Sequence, residues 1–522
     1  MKRQEKRILW VDDEVDQLTP HILFLKEKGY SVETATNGED AISMVATKHF
    51  DLVLLDQMMA GLDGLSTLEQ IKKLDMNLPI VMITKVDEEY LMEEAIGSVV
   101  ADFLIKPVNP SQILITCKKI FDKARILEDR TAREYAVEYQ SVSSRISSNM
   151  TPDDWLEVAL WLARWDVTLD NFPELGLTEA HRDFRRDCNA EFGRFVERHY
   201  PSWVTGTDKP TLSTDIFRKY VVPELKTKGT KLFYIVVDCM RLDQWLLVLP
   251  LVEKDFDVRT DVYYSILPTA TPFARNSLFA GLFPLDIQRI YPELWGRSAV
   301  DTMSQNRYEH QLMDKLIQRE GVKLSSSTKY VKILDPDEGD KVIRHFQSYL
   351  APDLSAMVIN FLDILTHGRA ESDILREISP DERAFRAVMK TWFLHSSLYE
   401  ALQLLAKSNH TVIVTTDHGS MIGRRGTKVF GKKDASTTLR YKFGDNLNGD
   451  PRHTVIINNP AEYKLPSITV STNYIIAKED YFLVYPTNYN IYEKQYTNSI
   501  LHGGISLEEM VVPVSVLRPK ER

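Results

Sequence analysis

Short apolar runs alternate with amphipathic stretches from the start of the chain. Arg7–Val11 (RILWV), Ser31–Ala35 (SVETA) and segments 52–55, 80–83 and 103–105 have the length and β-rich composition of strands. Segments 17–28 and 39–47, and the stretch from Ser111, place apolar residues at helical spacing. This alternation predicts a parallel sheet with helices on both faces. The pattern changes at residue 124. Segment 123–146 is charged and has few breakers. Thr151-Pro152-Asp153-Asp154 combines an N-cap, a first-turn proline and acids at the positive end of a helix dipole, ahead of the apolar WLEVALWLARW. A further helix is expected from Thr178 towards His199, closed by Pro201, Gly206 and Pro210. From residue 211 the alternation returns, with strands expected at Lys231–Val237, 357–362 and 411–416. The expected architecture is α/β and multidomain: an α/β domain over 1–123, a small all-α linker over 124–210 and a larger α/β domain over 211–522.

Composition narrows this picture. A chain of 522 residues is too long for one core and suits three. With 43% hydrophobic and 26% charged residues it is globular, and its net charge of -10 disfavours general coating of nucleic acid. Cys117, Cys188 and Cys239 are isolated, without CxxC spacing, so neither a disulfide framework nor a cysteine zinc site is expected. That usage suits a reducing cytoplasm. The opening MKRQEKRILWVDDE has no apolar signal region, and no apolar run is long enough for a membrane span.

Candidate chemistry in the first domain lies at strand ends. Asp12 and Asp13 follow the first expected strand, Asp56 the third, Thr84 the fourth and Lys106-Pro107 the fifth. Open α/β sheets place their sites at such carboxyl ends. Clustered carboxylates suit Mg²⁺, and Lys106 and Thr84 suit a phosphoryl group beside Asp56. The set resembles the receiver domain of two-component response regulators, with its flavodoxin-like fold. The resemblance implies Asp56 as phosphoacceptor, Mg²⁺ held by Asp12, Asp13 and Asp56, and a switch formed by Thr84, Phe103 and Lys106. Gly61-Leu62-Asp63-Gly64 fits the family loop, although Ala60 stands where proline is usual.

In the last domain Asp238 follows a strand, Thr271 lies in LPTATPFARNSLFAGLFP, Asp363 and His367 lie in FLDILTH, Asp417-His418 follow TVIVTT, and His502 precedes Gly503-Gly504. Mixed aspartate and histidine ligation suits zinc or manganese, and seven groups suffice for two ions. Two adjacent ions can clamp both oxygens of an in-line displacement at phosphorus, with a threonine hydroxyl as nucleophile. In chain order these residues resemble the alkaline phosphatase superfamily and its PglZ-domain branch. The resemblance implies one zinc held by Asp363, His367 and His502, and another by Asp238, Asp417, His418 and Thr271. Threonine at 271 argues against a sulfatase, whose nucleophile derives from Cys or Ser.

Arg275 and Asn276, just past Thr271, are expected to bond phosphoryl oxygens. Segment 419–442 holds seven basic residues against one acid, Asp434, and is expected to draw in a polyanionic substrate. Tyr263, Tyr264, Phe273 and Tyr308 are candidates for base stacking. No ligand set for a third metal is apparent, which favours a diester over a monoester. The order of receiver, helical linker and PglZ domain resembles PorX-type response regulators. That resemblance implies a sensor histidine kinase as phosphodonor, an extracytoplasmic-function sigma factor as partner and control of type IX secretion. It also implies phosphodiesterase activity on linear and cyclic oligonucleotides, and a homodimer on phosphorylation. The rival expectation is an adaptor that binds the sigma factor through a domain with a structural metal site.

Overall fold

The computed structural model describes residues 6–85, 100–147, 149–206, 209–227, 229–295, 306–431 and 438–521. The chain forms two compact units, Met1–Val137 and Glu138–Arg522.

In the first unit β1 (Arg7–Val11), β2 (Ser31–Ala35), β3 (Leu52–Asp56), β4 (Ile80–Thr84) and β5 (Asp102–Ile105) form a parallel sheet in the order β2-β1-β3-β4-β5. The two-residue side-chain period divides each strand between two cores. Leu9, Val11, Val53 and Leu55 enter one cluster, while Ile8, Trp10, Leu52 and Leu54 enter the other. A sheet buried on both faces explains why these strands are apolar throughout instead of alternating. The fold is that of a flavodoxin-like receiver. Helix Pro110–Arg145 then runs unbroken through residue 123, beginning in the first unit and ending in the second.

The second unit contains helices Pro152–Asp170 and Thr178–Thr205, followed by a six-stranded sheet. Trp155 packs 5.3 Å from Phe192, and one Glu138 carboxylate oxygen accepts both Trp161 and Trp165 indole N–H groups at 2.8 Å. In the sheet, β6 (Lys231–Val237), β8 (Lys329–Ile333), β9 (Leu354–Ile359) and β10 (His410–Thr415) run parallel. The strand Val511–Pro519 is antiparallel and joins β10 to β7 (Phe256–Tyr264). Smaller sheets follow β10, among them the antiparallel pair Met421–Gly423 and Ser499–Leu501.

Two local expectations shift. The strand expected at 357–362 is β9, three residues earlier. Asn360 ends it, and the remaining apolar residues begin helix Phe361–Glu371. Pro201 does not stop its helix, which runs on to Thr205 because Tyr200, Trp203 and Val204 are all buried against the domain.

The expected helix start at Thr151 is a reciprocal capping box. The Thr151 hydroxyl accepts the Asp154 N–H at 3.2 Å, and Asp154 accepts the Thr151 N–H at 2.8 Å. These bonds and Arg145 hold the Asp154 carboxyl down to about 2. Because this pKa is depressed in the fold, the stabilisation is complete above the ordinary aspartate range and fades as pH falls towards 2. Thr151→Ala is expected to cost about 1 kcal/mol in urea unfolding near neutral pH, within the range of lost N-caps. The difference from wild type should shrink as pH is lowered through 4 to about 2.

Candidate metal and phosphoryl-transfer site

Both sheets gather acids at the carboxyl ends of their parallel strands. In the first unit Asp12, Asp13 and Asp56 offer carboxylate oxygens within 4.8 Å of one another. Lys106 Nζ lies 2.9 Å from Asp56 and 3.2 Å from Asp12. Burial raises the Asp56 carboxyl, and Lys106 only partly offsets it. Burial also works against the Lys106 charge, but contacts with Asp56 and Asp12 outweigh it and raise its pKa. Three oxygen ligands with excess negative charge fit Mg²⁺. Thr84 is buried at the end of β4, and Phe103 is half-buried on β5.

In the second unit the seven expected residues converge. Asp363, His367 and His502 form one cluster, and Asp238, Asp417 and His418 another, each with ligand atoms within 4.8 Å. Asp238 directly follows β6 and Asp417-His418 follow β10, so hydrogen-bonded neighbours fix their spacing. Asp363 and His367 share one face of helix Phe361–Glu371, and His502 follows strand Ser499–Leu501. The His418 and His502 rings stack at 4.5 Å and join the two clusters.

Thr271 is the first residue of helix Thr271–Ala280, after β7. Its hydroxyl lies 3.1 Å from His418 Nε2 and 3.4 Å from Asp238 Oδ1. The His418 Nδ1–H donates to the Gly419 carbonyl at 3.0 Å, which leaves the Nε2 lone pair facing the centre. Burial, with His502 adding to it, pushes the His418 pKa well down, so the ring is neutral.

The donor set fits divalent cations. Burial and the neighbouring Asp238 charge push the Asp417 carboxyl well up, and its buried Oδ2 has no hydrogen-bond partner. Burial also raises Asp238, against the pull of Arg275. Burial works the same way on Asp363, but His367 and His502 outweigh it and hold that carboxyl well below the usual range. Like charges brought together call for a positive ion, and the mixed carboxylate and imidazole donors fit a divalent metal.

Arg275 and Asn276 are placed differently from the expectation of phosphoryl contact. The buried Arg275 guanidinium pairs with Asp238 through Nη1, and its Nε donates to Glu309 at 2.6 Å. Asn276 donates to the Pro272 carbonyl within its own helix at 2.9 Å. The sequence reading missed Glu309 and Asn306. Glu309 is buried between Arg275, Tyr330 and Lys332, and Asn306 donates to Glu309 at 2.8 Å and to the Thr271 carbonyl at 3.1 Å. No local signal marks either one, because their partners come from distant segments. At Gly419, directly after His418, a Cβ would lie 2.0 Å from the Glu508 carbonyl oxygen. Only glycine lets the chain after His418 pass that backbone.

The expected stacking aromatics serve the core. Tyr263 and Tyr264 are fully buried, with the Tyr263 hydroxyl on the Thr416 carbonyl and Tyr264 on the Pro152 carbonyl. Phe273 packs on Tyr441 at 5.7 Å, and Tyr308 is half-buried. Two cations of the basic segment are paired with acids. Arg440 is buried on Glu509, Arg425 pairs with Glu479 and Asp480, and Lys442 is buried. Arg424 and Lys428 are exposed, while Lys432, Lys433 and Asp434 lie outside the described residues.

This geometry agrees with the relatives of the chain. The BREX system PglZ alkaline phosphatase-like domain matches residues 216–517, more than half of the length. The chain belongs to the PglZ family. The response regulator receiver domain matches residues 8–118, and the PorX response regulator linker domain matches 125–204. Together these identify a PorX-type response regulator with a hydrolase-like output domain. The transcriptional regulatory protein ZraR of Klebsiella oxytoca is 32% identical over 142 residues, covering 27% of this chain and 32% of that protein. The alkaline phosphatase synthesis transcriptional regulatory protein PhoP of Bacillus subtilis is 34% identical over 121 residues, covering 23% of this chain and 50% of that one. The chain thus spans between a third and a half of the length of these curated relatives. Among solved structures, the receiver domain of NtrX from Brucella abortus is 32% identical over 22% of this chain and 98% of its own, with a TM-score of 0.21. No helix among the described residues is long and apolar enough to cross a membrane.

Glu309→Leu leaves the buried Arg275 charge with half its partners. The expected destabilisation is about 3–5 kcal/mol in denaturant unfolding, the scale of a broken buried pair. Glu309→Gln, which keeps an acceptor, should cost clearly less. Equal stability of Glu309→Leu and wild type would dissociate Glu309 from the site.

Proposed function

We propose that this response regulator carries a zinc-dependent phosphodiesterase output acting on linear or cyclic oligonucleotides. The observation that carries the reading is the Thr271 hydroxyl, 3.1 Å from His418 Nε2 and beside two sets of metal-ligating residues. Asp363, His367 and His502 would hold one ion, and Asp238, Asp417, His418 and Thr271 the other. When bound, the pair supplies positive charge for the oxygens of a phosphate ester and lowers the pKa of a hydroxyl.

The chain's own residues do the rest. Arg275 and Glu309 hold Asp238 in place, and Asn306 holds the Thr271 backbone. Thr271 opens a ten-residue helix, so its hydroxyl sits at the positive end of the helix dipole, which favours a phosphoryl anion. Arg275 is committed to Asp238 and Glu309, which leaves phosphoryl contact to the metal pair and that helix end. Two ligand clusters at this sheet edge, among the described residues, favour a diester over the more highly charged monoester.

The phosphorylation input rests on Asp56 beside Lys106 and the Mg²⁺-binding acids. A sensor histidine kinase as donor, an extracytoplasmic-function sigma factor as partner, a cytoplasmic setting and control of type IX secretion are proposed from the PorX-type organisation. Phosphoryl-Asp56 would bias the receiver through Thr84 and Phe103 towards a homodimer.

Zinc-loaded wild type is expected to hydrolyse bis-p-nitrophenyl phosphate and a dinucleotide. Thr271→Val should lower the rate at least a hundredfold while retaining zinc by elemental analysis. A silent metal-loaded wild type, with and without phosphorylation, would move the reading to the sigma-factor-binding adaptor with a structural metal. For the input, beryllofluoride should shift wild type to a dimer in light scattering and leave Asp56→Ala monomeric. Equal dimerisation of both would end the gating proposal.

A further inference from the structure

Away from the metal ligands, the second unit holds a cleft of about 430 Å³. Its walls come from helix Thr178–Thr205, helix Glu382–Leu394 and the turn after strand Met421–Gly423. This volume lies within the range of about 300–1,000 Å³ usual for small-molecule sites.

The charges of the walls do not cancel. Asp166 accepts Arg185 at 2.6 Å, Asp170 accepts Arg386 at 2.7 and 2.8 Å, and Glu382 accepts Arg241 at 2.8 Å. Asp381 caps the Ala384 N–H at 2.8 Å and keeps its charge. With the other three carboxylates paired, Arg182, Arg383 and Arg424 stand against this one acid, each exposed and each without an ion pair among the described residues. They come from three different elements and face one cavity. The buried Arg185 also lines it, and its Nε has no hydrogen-bond partner. That nitrogen is shut off from solvent, so Arg185 contributes to the cleft through its charge. Leu169, Pro380 and Ile422 add an apolar wall.

We propose that this cleft binds a small phosphorylated ligand of the nucleoside-diphosphate class. Guanidinium forks match phosphoryl oxygens, and three of them from separate elements offer more donors than a single phosphoryl group can engage. The apolar wall receives the nucleoside. The site also has a route to the metal ligands. Ile422 lies four residues past His418 and pairs with Ile500, two residues before His502, while Asn498 lines the cleft itself. An occupant bears on the strand pair that carries both histidines. The proposal stands whether or not the metal centre is an enzyme.

The test is isothermal titration of ADP into the full chain after its metals are stripped with EDTA, which removes the competing metal-centred binding. ADP is expected to bind the stripped wild type and AMP to bind more weakly. The double variant Arg182→Gln/Arg424→Gln, at two exposed positions, should bind ADP at least tenfold more weakly with unchanged thermal unfolding. Asp417→Asn, in the metal centre, should bind as wild type does. Failure of stripped wild type to bind ADP, equal binding by the arginine double variant, equal affinity for AMP, or loss of binding in Asp417→Asn would each overturn the proposal.

Discussion

Asp238 and Asp417 sit side by side at the buried ends of neighbouring parallel strands, and holding two carboxylates together out of water is the constraint that shapes the site. Burial disfavours both charged forms, with the Asp363 charge adding to it at Asp238 and the Asp238 charge adding to it at Asp417. The fold answers with fixed partners. Arg275 brings a guanidinium to Asp238, and Asn360 donates to the same carboxylate at 2.9 Å. The Cys239 and His418 backbone N–H groups donate to Asp417 Oδ1 at 3.2 and 3.0 Å. These contacts use one edge of each carboxylate and leave the other for a cation. The same logic, with Lys106 in place of the arginine, operates at Asp12 and Asp56 in the receiver.

Arg275 shows how such a demand spreads. A guanidinium buried on one carboxylate needs further acceptors, and Glu309 supplies them. Glu309 is itself buried, so it draws in Lys332 and Tyr330 from β8 at the sheet edge. Asn306 uses the remaining capacity of Glu309 to fasten the Thr271 backbone. A network that begins with ligand repulsion therefore also positions the candidate nucleophile.

This network separates what the sequence reveals from what it hides. Asp238, Asp417, His418, Asp56 and Lys106 were legible because each directly follows a β-rich run, and strand ends in open α/β sheets are where sites form. Asp363 and His367 were legible through helical spacing. Glu309 and Asn306 were not, because their meaning lies in contacts with segments thirty or more residues away. Two members of the basic segment were illegible for the same reason. Arg440 and Arg425 read as free cations because their partners Glu509 and Glu479 are far along the chain. Tyr263 and Tyr264 lie on β7, where Tyr264 is buried against the helical linker and Tyr263 against the end of β10, so both serve the core.

Arg440 shows that a misread charge still bears on the site. Its guanidinium is buried against the Glu509 carboxylate, and Glu509 Oε1 also accepts the Gly504 N–H at 2.8 Å. Breaking such a pair leaves an uncompensated buried charge, so the pair acts as a latch on the turn after His502. On the other strand, the Gly419 N–H donates to the Glu509 carbonyl at 3.0 Å, just past His418. One glutamate thus ties together the backbones that follow both stacked histidines, one from each ligand cluster. Arg440 therefore acts at the site through Glu509, holding the carboxylate that anchors the turn after His502 while the same residue's carbonyl anchors the chain after His418.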